Sequence, residues 1–284
     1  MNNLNIKFIL VPQGAEYNAV SQGLKNQGLK NNVHSLPEVV SIPVGGESVR
    51  KFLDEWLKSI DFAGNLITDN EINPPRVLVM GLCGSLNPEL RVGDIVVYDD
   101  CRQISDDGIL FRNRAWGSSK KLLKAYTNSS FTAEVFQFLN QDTNLSLNGG
   151  SQSLKGINRG RREIKNPGFD VSLVAGLTSN TVISTVLEKR SLYECYGANV
   201  VDMEGWAIIQ VLNEAGFSVA TVRVVSDDCF HDIPNLSSAF NSDGSLNALR
   251  LAIAMLRQPI AAIRLIRGSL HGLKVLKNLS SQFS

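Results

Sequence analysis

Apolar residues fall into two rhythms along this chain. Short apolar runs at 6–11, 39–44, 76–80, 93–97, 171–177 and 217–225 are the length of buried strands. Between them the apolar positions recur at helical spacing. Residues 17–24 start one helix, and Val49, Phe52, Leu53, Trp56, Leu57 and Ile60 mark a second. A third spans 185–196, and Ala207, Ile208, Val211 and Leu212 mark a fourth that Gly216 closes. After Pro234 come two helical pieces, 246–257 and 260–279, divided by Pro259. Alternating strand and helix predict an α/β protein, a single three-layer α/β/α domain over residues 1–284. Its central sheet should be mixed but largely parallel. Residues 113–168 break the rhythm, being rich in Asn, Ser and Gly with one amphipathic piece at 131–139. They are expected to form an irregular excursion over the site, and 246–280 to form covering helices.

Composition narrows this little. Lys+Arg 28 against Asp+Glu 27 leaves a net charge of +1, which gives no case for nucleic-acid binding. Cys83, Cys101, Cys195 and Cys229 are far apart and form no C-x-x-C, so free thiols in a reducing, cytoplasmic setting are expected. Histidines 34, 231 and 271 are equally scattered, and no metal site is legible. The first residues lack the cleavage signature of a signal peptide, and no apolar run reaches membrane-spanning length. Charge is uneven in one place: from Leu246 to the last residue there are arginines and lysines but no Asp or Glu. That stretch reads either as helices with a solvated basic face or as a surface for peripheral contact with anionic membrane.

Chemistry gathers at strand ends. Glu16, Glu204 and Asp227 each follow a predicted strand, where α/β proteins place ligand chemistry. Three carboxylates converging on one rim suit acid–base work on a neutral, oxygen- and nitrogen-rich substrate, although each alone also reads as a helix-start acid. Gly45-Gly46 between strand and helix lets backbone amides approach an oxygen-rich ligand. Gly81-Leu82-Cys83-Gly84 is expected to be a tight turn. It lacks the Lys-Ser/Thr ending of a phosphate loop, and Cys83 has no neighbour that would activate it. No G-x-G-x-x-G supports a dinucleotide.

Taken together, Gly81-Leu-Cys-Gly-Ser-Leu, Gly93-Asp-Ile-Val-Val, Val201-Asp-Met-Glu-Gly and Arg223-Val-Val-Ser-Asp resemble the nucleoside phosphorylase and nucleosidase superfamily in order and spacing. The resemblance spans about residues 6–279 apart from 113–168. It implies cleavage of the N-glycosidic bond of a purine nucleoside. Met203 would pack under the ribose, Glu204 would bind its hydroxyls, and Asp227 would protonate or hydrogen-bond purine N7. Ser226 and Arg223 would orient Asp227, Cys83 and Gly84 would line the pocket, and Asn180 to Val182 would wall the base. Glu16 stands where hydrolytic members activate water, and an aspartate at 227 favours adenine.

A phosphorylase is the nearest alternative, with Gly45, Gly46 and Arg50 as its phosphate site. A non-catalytic nucleoside-binding protein is another. The expectation is no cofactor, with water or phosphate as co-substrate. The resemblance also implies a homo-oligomer, a dimer first. Asp227-Asp228, Ile233-Pro234, Asp243-Gly244 and Arg257-Gln-Pro259 are further similar to hopanoid-associated phosphorylases, alongside methylthioadenosine/S-adenosylhomocysteine nucleosidases. That similarity implies a lipid-linked adenosine as substrate.

Overall fold

The computed structural model describes residues 4–31, 36–62, 74–104, 122–145, 171–236, 239 and 247–283. Its strands are β1 (Ile6–Pro12), β2 (Glu38–Ile42), β3 (Arg76–Ser85), β4 (Ile95–Ile104), β5 (Leu122–Tyr126), β6 (Val171–Thr178), β7 (Val200–Asp202) and β8 (Ser218–Asp227). Its helices are α1 (Ala15–Asn31), α2 (Gly46–Phe62), α3 (Ser129–Leu145), α4 (Val186–Tyr196), α5 (Gly205–Glu214), α6 (Ala248–Arg257) and α7 (Pro259–Ser280), with a last 3-10 turn at Ser281–Phe283.

The strands form one mixed sheet in the order β2-β1-β3-β7-β6-β4-β5, and β8 pairs with both β3 and β4. The path therefore closes on itself: β3, β8, β4, β6 and β7 form a ring. Helices α2 and α5 bury Val49, Leu53, Ile208 and Leu212 against one face. Helices α1, α3 and α7 bury Val20, Leu24, Phe131, Val135, Leu276 and Leu279 against the other. The predicted three layers are present.

Three local expectations change. The Gly81–Ser85 segment is strand, not a turn. β3 keeps parallel register with β8 through Cys83↔Val225, slips at Gly84, and there turns to pair with β7. Its glycines serve close approach: a methyl group at Gly81 would lie 2.2 Å from the Arg223 guanidinium. The sequence reads Asp202-Met203-Glu204 as the start of the fourth helix, but Asp202 closes a strand, which leaves Glu204 at the N-cap of α5. Finally, the expected excursion holds two regular elements. β5 pairs antiparallel with β4, and α3 belongs to the α1/α7 layer, tied to β3 by a paired Arg76–Glu134 contact at 2.7 and 2.9 Å. Outside 122–145, the interval lies outside the described residues.

Candidate active site

The site is built along the bend of β3. The Leu82 amide donates to Glu16 Oε1 at 2.8 Å, which holds the first-turn acid of α1 against the sheet. Two residues on, Gly84 faces Asp227 at the end of β8; a methyl group there would lie 3.0 Å from Asp227 Oδ2. Between them Cys83 is buried, and its carbonyl accepts from Ser226 Oγ at 3.1 Å. Burial pushes the Cys83 thiol well up, so it is a packing group and not a thiolate nucleophile.

Glu204 enters from the other side. Its Oε1 accepts from the Gly45 amide at 2.9 Å, with Gly45 at φ 94, a left-handed conformation that glycine adopts without strain. Gly46 sits against the neighbouring segments. A methyl group there would lie 3.7 Å from the Met203 carbonyl and 4.0 Å from Asn180 Oδ1. Met203 and Val182 are half-buried, and Asn180 is exposed.

Arg223 differs from expectation. It does not reach up to Asp227: its side chain turns into the ring, where Nη2 donates to Asp202 Oδ2 at 3.0 Å and stands 3.9 Å from Glu204 Oε2. Position 223 lies four residues before the strand end, about 13 Å of strand rise, so its side chain leaves β8 well below the rim. Asp202 is the hub of that interior. It also accepts from the Tyr98 hydroxyl at 3.1 Å, the Thr178 hydroxyl at 2.7 Å and the Gly205 amide at 3.1 Å. Arg223 Nε and Nη1 are buried without a hydrogen-bond partner among the described residues. Burial opposes the charge of Arg223, yet Asp202, Tyr98, Glu204 and Glu16 outweigh it and hold the guanidinium protonated.

The same interior shifts both glutamates. Desolvation pushes Glu16 up to about 7, with the Arg223 charge and the Leu82 amide pulling the other way. Desolvation also pushes Glu204 up to about 7, against the opposing pull of Arg223. A carboxyl group near 7 is matched to taking a proton from water at neutral pH.

The partners of Asp227 are Ser226 Oγ, which donates to Oδ1 at 2.9 Å, and Lys189 Nζ, which donates to Oδ2 at 2.5 Å. Lys189 is fully buried on α4 and escaped the sequence reading, as did Asp202. A signal was present: Lys189 lies on the same helix stripe as Leu192, Tyr193 and Tyr196, a place for an apolar residue. Arg50, the cation of the phosphate alternative, lies 4.8 Å above the Trp206 ring and donates to Gln210 Oε1 at 2.5 Å.

A closed ring of strands with buried carboxylates at its bend is an α/β framework that gathers polar groups at the carboxyl ends of its strands. The chain belongs to the phosphorylase superfamily, whose family model matches residues 59–258. Comparison with curated proteins gives no match. Solved structures share the fold at low identity. A Helicobacter pylori 5′-methylthioadenosine/S-adenosylhomocysteine nucleosidase variant with 5′-methylthioadenosine in the active site is 14% identical, with TM-score 0.54 over 96% of this chain and 97% of that one. A futalosine hydrolase mutant of Helicobacter pylori strain 26695 is 14% identical, with TM-score 0.53 over 96% and 98%. A Campylobacter jejuni 5′-methylthioadenosine/S-adenosylhomocysteine nucleosidase is also 14% identical, with TM-score 0.50 over 96% and 99%.

Proposed function

We propose that this protein cleaves the N-glycosidic bond of an adenine nucleoside by hydrolysis. The observation that carries the reading is Glu16, a carboxyl raised to about 7 at the bend of β3, two residues of strand away from Gly84 and Asp227. Glu204 holds the ribose hydroxyls, and Met203 packs beneath the sugar. Asp227, steadied by Ser226, gives its proton to purine N7. The electron pair of the C1′–N9 bond then leaves with the base, while the sugar gains oxocarbenium character. Glu16 takes the proton of the water that attacks C1′. The products are adenine and a free sugar.

The fit to phosphate is poor on three counts. The Gly45 amide is already given to a carboxylate, Arg50 is given to Gln210 and the Trp206 face, and two acids border the cleavage point. Adenine release measured with and without inorganic phosphate tests the reading. Turnover should be unchanged by phosphate and lost by at least ~100-fold in Asp227→Asn. Strict dependence on phosphate, with a sugar 1-phosphate as product, would reject hydrolysis. An unchanged rate in Asp227→Asn would reject the site.

The substrate we infer is an adenosine whose 5′ position carries a lipid. An apolar groove of 740 Å³ begins at Phe230, three residues beyond Asp227, and runs between Val186-Leu187 of α4 and Pro259-Ile260-Ala261 of α7. None of the three carboxylates lines it. Beyond it α6 and α7 expose Leu249, Leu256, Ile260, Ile263 and Leu270 beside Arg257, Arg264 and Arg267. Among the described residues, no helix is long and apolar enough to cross a membrane. Asp232 lines the groove along with Arg264, while α6 and α7 themselves carry arginines and no acid, and an apolar stripe beside such cations fits the surface of an anionic bilayer. Helix α7 also backs the site strand directly, since Gly268 packs so closely that a methyl group would lie 2.1 Å from the Ser226 carbonyl.

A further inference from the structure

Lys189 is the one fully buried lysine among the described residues, and it ends on Asp227. Its ammonium donates to Asp227 Oδ2 and to the Asp228 carbonyl, each at 2.5 Å. The helix that carries it is locked at its start. Thr185 and Glu188 form a reciprocal cap, and Asp232 accepts from the Val186 amide at 2.8 Å. Lys189 is thereby held one turn inside a fixed helix N-terminus.

Stability alone does not ask for this arrangement. Taking an ammonium out of water is costly, and an apolar residue of similar volume commonly serves a core at least as well. The helix dipole makes it worse, because the first turns of α4 disfavour a cation. A buried cation in an unfavourable place, aimed at the end of β8, points to a demand made by Asp227.

That demand is set by the reaction proposed above, on which this inference rests. As the proton passes from Asp227 to N7, negative charge develops on the carboxyl in a largely desolvated place. The proton goes to the base, the C1′–N9 electron pair goes with it, and the ammonium keeps its own protons throughout. We propose that Lys189 is the positioning residue for Asp227: it fixes the carboxyl through Oδ2 and stabilises the carboxylate left by proton transfer. Its effect grows as the transition state develops, so it belongs to turnover and not to substrate binding.

The experiment is steady-state adenine release by the full chain carrying Lys189→Met, Lys189→Arg, Asp227→Asn and the Met/Asn double replacement, with a thermal melt of each. Lys189→Met should lower kcat by ~10- to 100-fold while KM changes by less than ~3-fold, and Lys189→Arg should recover most of the loss. In the Asp227→Asn background the methionine should cost nothing further, because the residue it serves has gone. An unchanged kcat in Lys189→Met, or an equal loss in both backgrounds, would overturn the proposal. If the methionine variant does not fold, Lys189→Gln against Lys189→Arg decides by the same split, and equal kcat in those two rejects the role. Full activity in Asp227→Asn would instead overturn the hydrolytic site, so the two failures are distinguishable.

Discussion

Arg223 donates to Asp202 at 3.0 Å inside the ring of strands, with the two side chains 0% and 1% exposed. The pair stands beneath Glu204 and sets the field in which that carboxylate and Glu16 titrate. Removing one member leaves the other buried and without its nearest counter-charge. Asp202→Asn should therefore destabilise the fold by ~3–5 kcal/mol, read as a lower denaturant midpoint. Replacing Arg223 by Met in the same chain should recover part of that loss. If Asp202→Asn melts like the parent, the pair does not stabilise the ring.

How far the sequence reaches is clearest at these residues. The carboxylates at 16, 204 and 227 stand out in the sequence as candidates because each follows a predicted strand, and strand ends are where local pattern is strongest. Arg223 was legible as a residue but not as a direction, since its target depends on how far into β8 it sits. Asp202 and Lys189 were hidden for another reason. Their partners lie 21 and 38 residues away, joined only once the ring closes. The Gly81–Ser85 strand was likewise obscured, because the glycines needed for close approach look like those needed for a turn.

Glu16→Gln tests the water-activating role. Glutamine keeps an oxygen that the Leu82 amide can use, so the fold should persist. It cannot accept a proton, and adenine release should fall by ~10²- to 10⁴-fold. In the parent, kcat should climb as pH rises through about 7, where Glu16 ionises. A profile flat across that range would remove Glu16 from the mechanism.

Stability should run in the opposite direction. Glu16 and Glu204 both have folded values near 7, raised from 4.5 by desolvation. Between those values the folded chain binds more protons than the unfolded one, so the two groups favour folding at the acid end. Their contribution is fully present below about 4.5 and is lost as pH rises through about 7. A Glu16→Gln/Glu204→Gln double variant removes both titrations. The parent's Tm relative to this variant should fall as pH goes from 5 to 8, by calorimetry at matched ionic strength. A parallel pair of curves would show that neither carboxyl is held protonated.

The exposed face of α6 and α7 makes a separate, physical prediction. Leu256 is 79% and Ile260 74% exposed, far more apolar surface than a helix packed for its own sake would leave in water. Arg257 follows directly in sequence, and Arg264 lines the groove that starts beyond Asp227. The protein should sediment with vesicles containing anionic lipid at low salt and be released at roughly 0.5 M salt, where charge is screened within a few ångströms. Leu256→Ser/Ile260→Ser should weaken that binding without changing turnover of a soluble adenosine, because Leu256 is exposed and the groove that Ile260 lines includes none of the three carboxylates. Turnover of a lipid-linked adenosine should fall with it. Retention of both vesicle binding and lipid-linked turnover in this variant would assign the apolar face to a second protein copy, which a concentration-dependent change in sedimentation would then reveal.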